Sequence, residues 1–250
     1  MKSVKIREIM SIVSDAVKIL ENRISGSGCE DGIVRITPAS SAGCPYEDGI
    51  TIVTEYGGRI SELSTSFPFE TTSKVSFMFD SPLKSPVQRT AACAILNVIS
   101  SFMCFTRKGR ACGEESRKAC LDELIAAVAG KKVYLNGCLT NLENMLCEAG
   151  SLYPEKRVDL VGRPEDADVI IVSGDGLFDK EKLAVTERYF KGGDNAADSD
   201  NTGNAGAGNA GAAVSKEQSE GQPELIFIGP AVTGFCVMQG AKHHCPYGRR

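Results

Sequence analysis

Three short runs constrain this chain more than anything else in it: YLNG ending at Gly137, IIVSG ending at Gly174 and IFIG ending at Gly229. A strand buried on both faces has no polar side to present, so it reads as an unbroken apolar run rather than an alternation. A glycine at its exit gives a tight turn over the carboxyl edge of a sheet, where open α/β folds keep their ligands. From Lys131 onward these runs sit in a strand, helix, strand, strand, helix, strand order: KVYLNG, NLENMLCEAG, RVDLVG, ADVIIVSG, DKEKLAVTERYF and ELIFIG. That alternation predicts a parallel sheet and a Rossmann-like second half.

The first half reads differently. Residues 3–22 space Val4, Ile9, Ile12, Val13, Ala16, Ile19 and Leu20 along one face, predicting an amphipathic helix that Ser25–Gly28 ends. IVRITPA from Ile33 and GITIVTEY from Gly49 are β-rich and joined by the polar loop SSAGCPYED, and KVSFMF from Lys74 reads as a third strand. Together they predict a small antiparallel sheet. Ser85 before Pro86 starts a helix, because the serine oxygen can accept from the first turn and proline forfeits no needed donor there. Its sequence, VQRTAACAILNVISSFMCF, is apolar on most sides, as a helix sandwiched between layers must be. EESRKACLDELIAAVAG forms a second helix closed by Gly130. The predicted fold class is α/β, with a small α+β half over residues 1–112 and a parallel-sheet half over 113–250.

Charge excludes one class of partner. The net charge is −4, and residues 192–223 carry Asp194, Asp198, Asp200, Glu217 and Glu220 against Lys216 alone, so this segment accounts for all of it. No basic face is left over for phosphate backbones, which argues against nucleic acid as partner. The same segment has Val214 as its one large aliphatic and no aromatic residue, too little to offset the entropy of ordering, so it reads as a disordered insertion. The start, MKSVKIREIMSIVSDAVKIL, lacks the apolar core of a signal peptide, and no window approaches the roughly 20 apolar residues that span a bilayer. The expectation is a cytoplasmic protein with no membrane partner, whose ten cysteines are thiols rather than a disulfide framework.

The helix SPVQRTAACAILNVISSF, the run GKKVYLNG, then PEDADVIIVSGDGLF and ELIFIGPAVTGF resemble, in that order, the landmarks of the heavy-metal chelation family. The resemblance covers about residues 30–240. It implies an enolase-amino-terminal-like half joined to a Rossmann-like half, in a cytoplasmic protein of anaerobic metabolism tied to metal handling or to anaerobic cobalamin-type tetrapyrrole synthesis. It supplies no established catalytic residues. Gly137, Gly174, Asp175, Gly229 and Pro230 match landmarks that line the crevice between the halves. The chain departs from the pattern at 192–223 and in the terminal KHHCPYGRR, where the family continues through an apolar turn and glycine.

Both histidines and two cysteines fall in that last stretch. Cys236, His243 and Cys245 offer imidazole and thiolate to a transition metal ion, and a glycine between the cysteines lets the chain fold back. If the segment is extended, His243 and Cys245 share one side and His244 points away. Cys138, just past YLNG, and Cys44, in the loop AGCPYEDG, are the remaining donors; the ordinary reading of Cys138 is a small residue in a tight turn. Cys147 lies too far along its helix to join them. Cys93, Cys104, Cys112 and Cys120 have no metal-motif spacing and read as core thiols.

The glycine exits offer a second chemistry. Thr140 or Asn141 could cap one helix start and Thr233 another, leaving amides for a carboxylate or phosphate. Neither GxGxxG after the first strand nor GxxxxGK[ST] is present, which weakens a nucleotide reading. Asp175 is a base, a ligand or a turn former by the same reasoning, and Asn97, alone among apolar neighbours, reads as a satisfied buried amide. The sequence therefore predicts a protein that binds a transition metal or metal-tetrapyrrole precursor for delivery or sequestration, with an enzyme acting on a small anionic or nucleotide-like molecule as the competing class. It leaves oligomeric state open, a homo-oligomer included.

Overall fold

A computed structural model of the chain describes residues 11–40, 43–106, 114–190 and 222–244. Helix α1, Ile12–Ile24, starts on Ser11, whose side-chain oxygen accepts from the Ser14 N–H, and buries Val13, Ala16, Val17, Leu20 and Ile24. Val4 and Ile9, expected on the same face, lie outside the described residues, as does the expected disorder of 192–223 apart from Gln222 and Pro223.

Four antiparallel strands follow: β1 Ile33–Pro38, β2 Ile50–Tyr56, β3 Arg59–Thr65 and β4 Thr71–Lys74, in the order β3-β2-β1-β4. The sheet is as predicted, but two of its members are not. β3, RISELST, is mostly polar and half exposed along an edge, so only Leu63 among its buried residues carries a core signal. Only the Gly57–Gly58 pair marks it, both at positive φ (54° and 75°), as a two-residue hairpin turn requires. KVSFMF is not a strand: Lys74 closes β4 and Val75–Met78 is a turn of 3-10 helix. Val75 and Met78, three apart, share a face in that helix and both are buried, whereas in a strand they would point to opposite sides.

Helix α2, Pro86–Phe102, carries a full capping box between Ser85 and Gln88 with proline at its first position. Every residue from Arg89 to Ser100 is buried. It is sandwiched as predicted, with β2 and β3 on one side and, on the other, α5 (Asp175–Phe178) and α7 (Thr233–Gln239). One hydrophobic core consequently runs across position 112, joining Ile36, Ile52 and Leu63 through Ile95 and Ile99 to Val172, Phe227 and Phe235.

The second half contains α3 Glu114–Val128, β5 Lys132–Asn136, α4 Thr140–Leu152, β6 Asp159–Leu160, β7 Val169–Val172, α6 Lys180–Tyr189, β8 Glu224–Ile228 and β9 His243–His244. Its sheet is parallel throughout, in the order β6-β5-β7-β8-β9. β7 is buried along its whole length: Val169 and Ile171 face a cluster with α3 and α4, while Ile170 and Val172 face the core around α2. The chain builds outward in one direction from β5 to β6 and in the other from β7 to β9. The exits of β5 and β7, at Gly137 and Gly174, therefore flank the switch point where such sheets open a crevice. Among the described residues no helix is long and apolar enough to cross a membrane.

Candidate functional site at the carboxyl edge of the parallel sheet

The loop between β1 and β2 reaches across to this edge. Glu47 N–H closes a turn on the Cys44 carbonyl (3.2 Å), and Asp48 N–H donates to the Cys138 carbonyl at 3.0 Å. The Asp48 carboxylate accepts from the Thr140 and Asn141 amides at 2.5 and 3.4 Å. Helix α4 begins after Leu139, which has no side-chain oxygen to offer, so a carboxylate from the β1–β2 loop serves as its cap and complements its dipole. Thr140 and Asn141 are thus the capped residues and not the cap. The turn brings the Cys44 and Cys138 segments to one edge, with both side chains partly buried.

Glu47 enters deeper and is 7 % exposed. Its Oε1 accepts from the Gly174 N–H at 3.1 Å, while Oε2 is buried with no hydrogen-bond partner. Its carboxyl lies against Gly229, which sits at φ 80°, ψ 166°, a region that only glycine occupies readily. A Cβ there would fall 2.4 Å from Glu47 Cδ. Burial pushes the Glu47 carboxyl up to about 8; the Gly174 amide pulls it down in part, and the nearby Asp175 carboxylate raises it further. At neutral pH this side chain holds a proton.

Asp175 opens α5 and is buried. It accepts from Thr65 Oγ1 (3.3 Å), Ser66 N–H (3.2 Å) and Ser66 Oγ (2.5 Å), so it ties the end of β3 to the exit of β7 rather than shaping a turn alone. Lys182 Nζ donates to the Gly137 carbonyl at 2.8 Å. Asn97 is the satisfied amide expected of it: its Nδ2 donates to the Pro230 and Ala231 carbonyls (3.0 and 3.1 Å) and its Oδ1 accepts from Gly234 N–H (2.6 Å). That last bond fills the first turn after Thr233, where an anion was a candidate.

The tail is extended at His243–His244 and adds β9 to the sheet, with Phe227 opposite His243 and Ile228 opposite His244. His243 Nε2 is 2.8 Å from the Gly229 carbonyl, and His244 Nε2 is 2.9 Å from that of Cys120. The two rings point to opposite faces, as alternation requires. A carbonyl only accepts, so each ring carries its proton on Nε2, and in the neutral form Nδ1 bears the lone pair.

The sequence-predicted donors are partly brought together. Glu47 and the His243 ring both reach Gly229, while Cys44 and Cys138 lie on the segments that the Glu47 and Asp48 amides join to this edge. Cys236 lies on α7 within the core shared with α2, and Cys245 lies outside the described residues. Cys93 and Cys120 are buried, Cys93 with its thiol pushed up to about 12 by burial. Cys104 is no core thiol: it is exposed, just past the end of α2 at φ 58°. Cys112 lies outside the described residues, and Cys147 faces outward from α4 as expected. For a transition metal, the two thiols, the imidazole and the unpartnered Glu47 oxygen are donors of suitable chemistry. Among the described residues, however, no three His, Cys, Asp or Glu side chains are gathered about one point.

Sequence reasoning missed Glu47, Asp48 and Ser66, which lie in polar stretches with no periodic signal. No family model, no curated protein and no solved structure matches this chain.

Proposed function

We propose that this chain binds a soft or borderline transition metal, free or carried by a tetrapyrrole precursor, at the carboxyl edge of its parallel sheet, for delivery or sequestration. Cys44, Cys138 and His243 would hold it, with Glu47 beside them and Cys245 completing the set; Cys236 remains in the core. The observation that carries the reading is the Glu47 carboxyl, buried with an unpartnered oxygen against Gly229, where His243 also closes. A buried carboxyl oxygen without a partner is costly unless a proton or a cation meets it. The bond of the His243 ring to a backbone carbonyl is of the kind that orients metal-binding imidazoles.

Charge supports a cation over an anion. The amides of Thr140, Asn141 and Gly174, which could have cradled a phosphate, already bond to the Asp48 carboxylate and to a carboxyl oxygen of Glu47. The strand order β6-β5-β7-β8-β9 is the flavodoxin-like doubly wound order, which supports reading the second half as a doubly wound, Rossmann-like unit; the enolase-amino-terminal-like reading of the first half rests on the sequence resemblance to the heavy-metal chelation family alone. One observation favours the competing reading of an enzyme at the same glycine exits: a carboxyl near 8 is poised as a general acid or base.

Titration of reduced protein with Co²⁺ tests the proposal. The reading expects sulfur-to-cobalt charge transfer, tightening from pH 6 to 8 as thiol protons are released. Cys44→Ser and Cys138→Ser should remove most of the affinity and Cys93→Ser should leave it intact. No charge-transfer band together with equal affinity in all variants overturns it in favour of the enzyme.

A further inference from the structure

Away from this edge, a cavity of about 560 Å³ opens between α1, the segment leading into α2 and the start of α6. Among the described residues that line it, Lys18, Lys84, Arg89 and Lys180 are cationic and none is acidic. Arg89 is the unusual member. It is 3 % exposed, and its guanidinium is fixed by three carbonyls: Nε donates to Phe178 (2.8 Å), and Nη1 to Leu83 (2.9 Å) and Lys84 (2.8 Å). Nη2 is buried without a partner, and so is the hydroxyl of Ser81, also on the cavity wall. Leu83 sits at φ 47°, a conformation a leucine rarely adopts, while presenting its carbonyl to Arg89.

The acidic groups whose field Arg89 feels do not answer Nη2. Asp179 Oδ1 accepts from the Glu181 and Lys182 amides at 2.9 and 3.0 Å, capping α6. Glu187 Oε1 accepts from the Ile12 amide at 3.2 Å. A guanidinium immobilised on one side, with its remaining N–H groups and a serine hydroxyl left unmet, is a prepared donor to oxyanion oxygens, for which arginine is the preferred residue. Val17, Met78, Phe79, Pro82 and Leu183 make an apolar part of the wall that suits an organic body, with the hydroxyl residues Ser11 and Ser14 beside it.

We propose that this cavity is a second ligand site that takes a small organic phosphate, with the phosphate on Arg89 Nη2 and Ser81 Oγ, flanked by Lys84 and Lys180, and the organic part against the apolar wall. Several cationic groups around one head favour a doubly charged phosphate over a singly charged carboxylate. The site shares no residue with the metal-binding edge and stands or falls independently of it.

Calorimetric titration of the full chain at fixed ionic strength, with inorganic phosphate, phenyl phosphate and phenylacetate, tests the assignment. The expected result is saturable binding of one phenyl phosphate per chain, tighter than inorganic phosphate, and no comparable binding of phenylacetate. Because Arg89 also secures three carbonyls, the informative variants are Ser81→Ala and the exposed pair Lys84→Ala with Lys180→Ala. Each should weaken phenyl phosphate about tenfold, near 1.4 kcal/mol, with the unfolding midpoint unchanged. No saturable binding up to on the order of 10 mM, or affinity unchanged in both variants, overturns the site. Phenylacetate binding as tightly as phenyl phosphate overturns the phosphate assignment.

Discussion

Replacing Glu47 with glutamine probes the most unusual group in the molecule. In the folded chain its carboxyl is raised from the ordinary value of 4.5 to about 8, chiefly by burial. Between those pH values the folded protein keeps a proton that the unfolded chain has released, so the folded state binds more protons and stability falls as pH rises. The stabilising contribution is whole below 4.5, is lost progressively between 4.5 and about 8, and is gone above. The full gap corresponds to about 5 kcal/mol, of which about 3 kcal/mol has been lost by pH 7. Glu47→Gln keeps the shape and the acceptor for Gly174 N–H but cannot ionise. Urea unfolding at pH 5, 6, 7 and 8 should show the variant close to wild type at pH 5 and more stable by several kcal/mol at pH 8. Parallel pH profiles for the two proteins would refute the buried, protonated Glu47.

Three further outcomes follow from the packing. Asp48→Ala uncaps α4 from outside the helix and should cost about 1 kcal/mol, with faster hydrogen exchange at the Thr140 and Asn141 amides; unchanged exchange there would remove the cap. Ile95→Asp places an unpaired charge in the core that joins the two sheets and should cost roughly 3–5 kcal/mol in urea unfolding, whereas wild-type stability would place α2 on the surface. Gly229→Ala strains the backbone by about 1–3 kcal/mol and drives a Cβ into the Glu47 carboxyl, so adding Glu47→Ala should recover part of the loss. Strictly additive costs would separate the two residues.

The sequence predicted β5, β7 and β8 because strands buried on both faces must be apolar throughout, and their glycine exits marked the edge where the candidate site lies. The start of α2 was legible because Ser85 and Pro86 are adjacent and their chemistry is local; the Gln88 side chain that completes the capping box was not read from the sequence. β3 was hidden because an edge strand with one face in water is free to be polar. KVSFMF misled because Val75, Phe77 and Phe79 alternate as in a strand, whereas the buried pair Val75 and Met78 is three apart, as in a helical turn. Glu47 could not be found at all. In the loop SSAGCPYED it is one of two adjacent acids in a mostly polar stretch, and its burial is decided by Gly174 and Gly229, more than a hundred residues away. Arg89 and Ser81 were silent likewise, since an unmet donor is a property of the packed molecule.

The central claim is that a metal belongs at the carboxyl edge of the parallel sheet, and metal analysis of protein purified anaerobically without chelators tests it most directly. The account predicts close to one equivalent of a transition metal per chain, falling to background in Cys138→Ser and retained in Cys93→Ser. Background metal in the wild type, with no uptake on reconstitution, would contradict it.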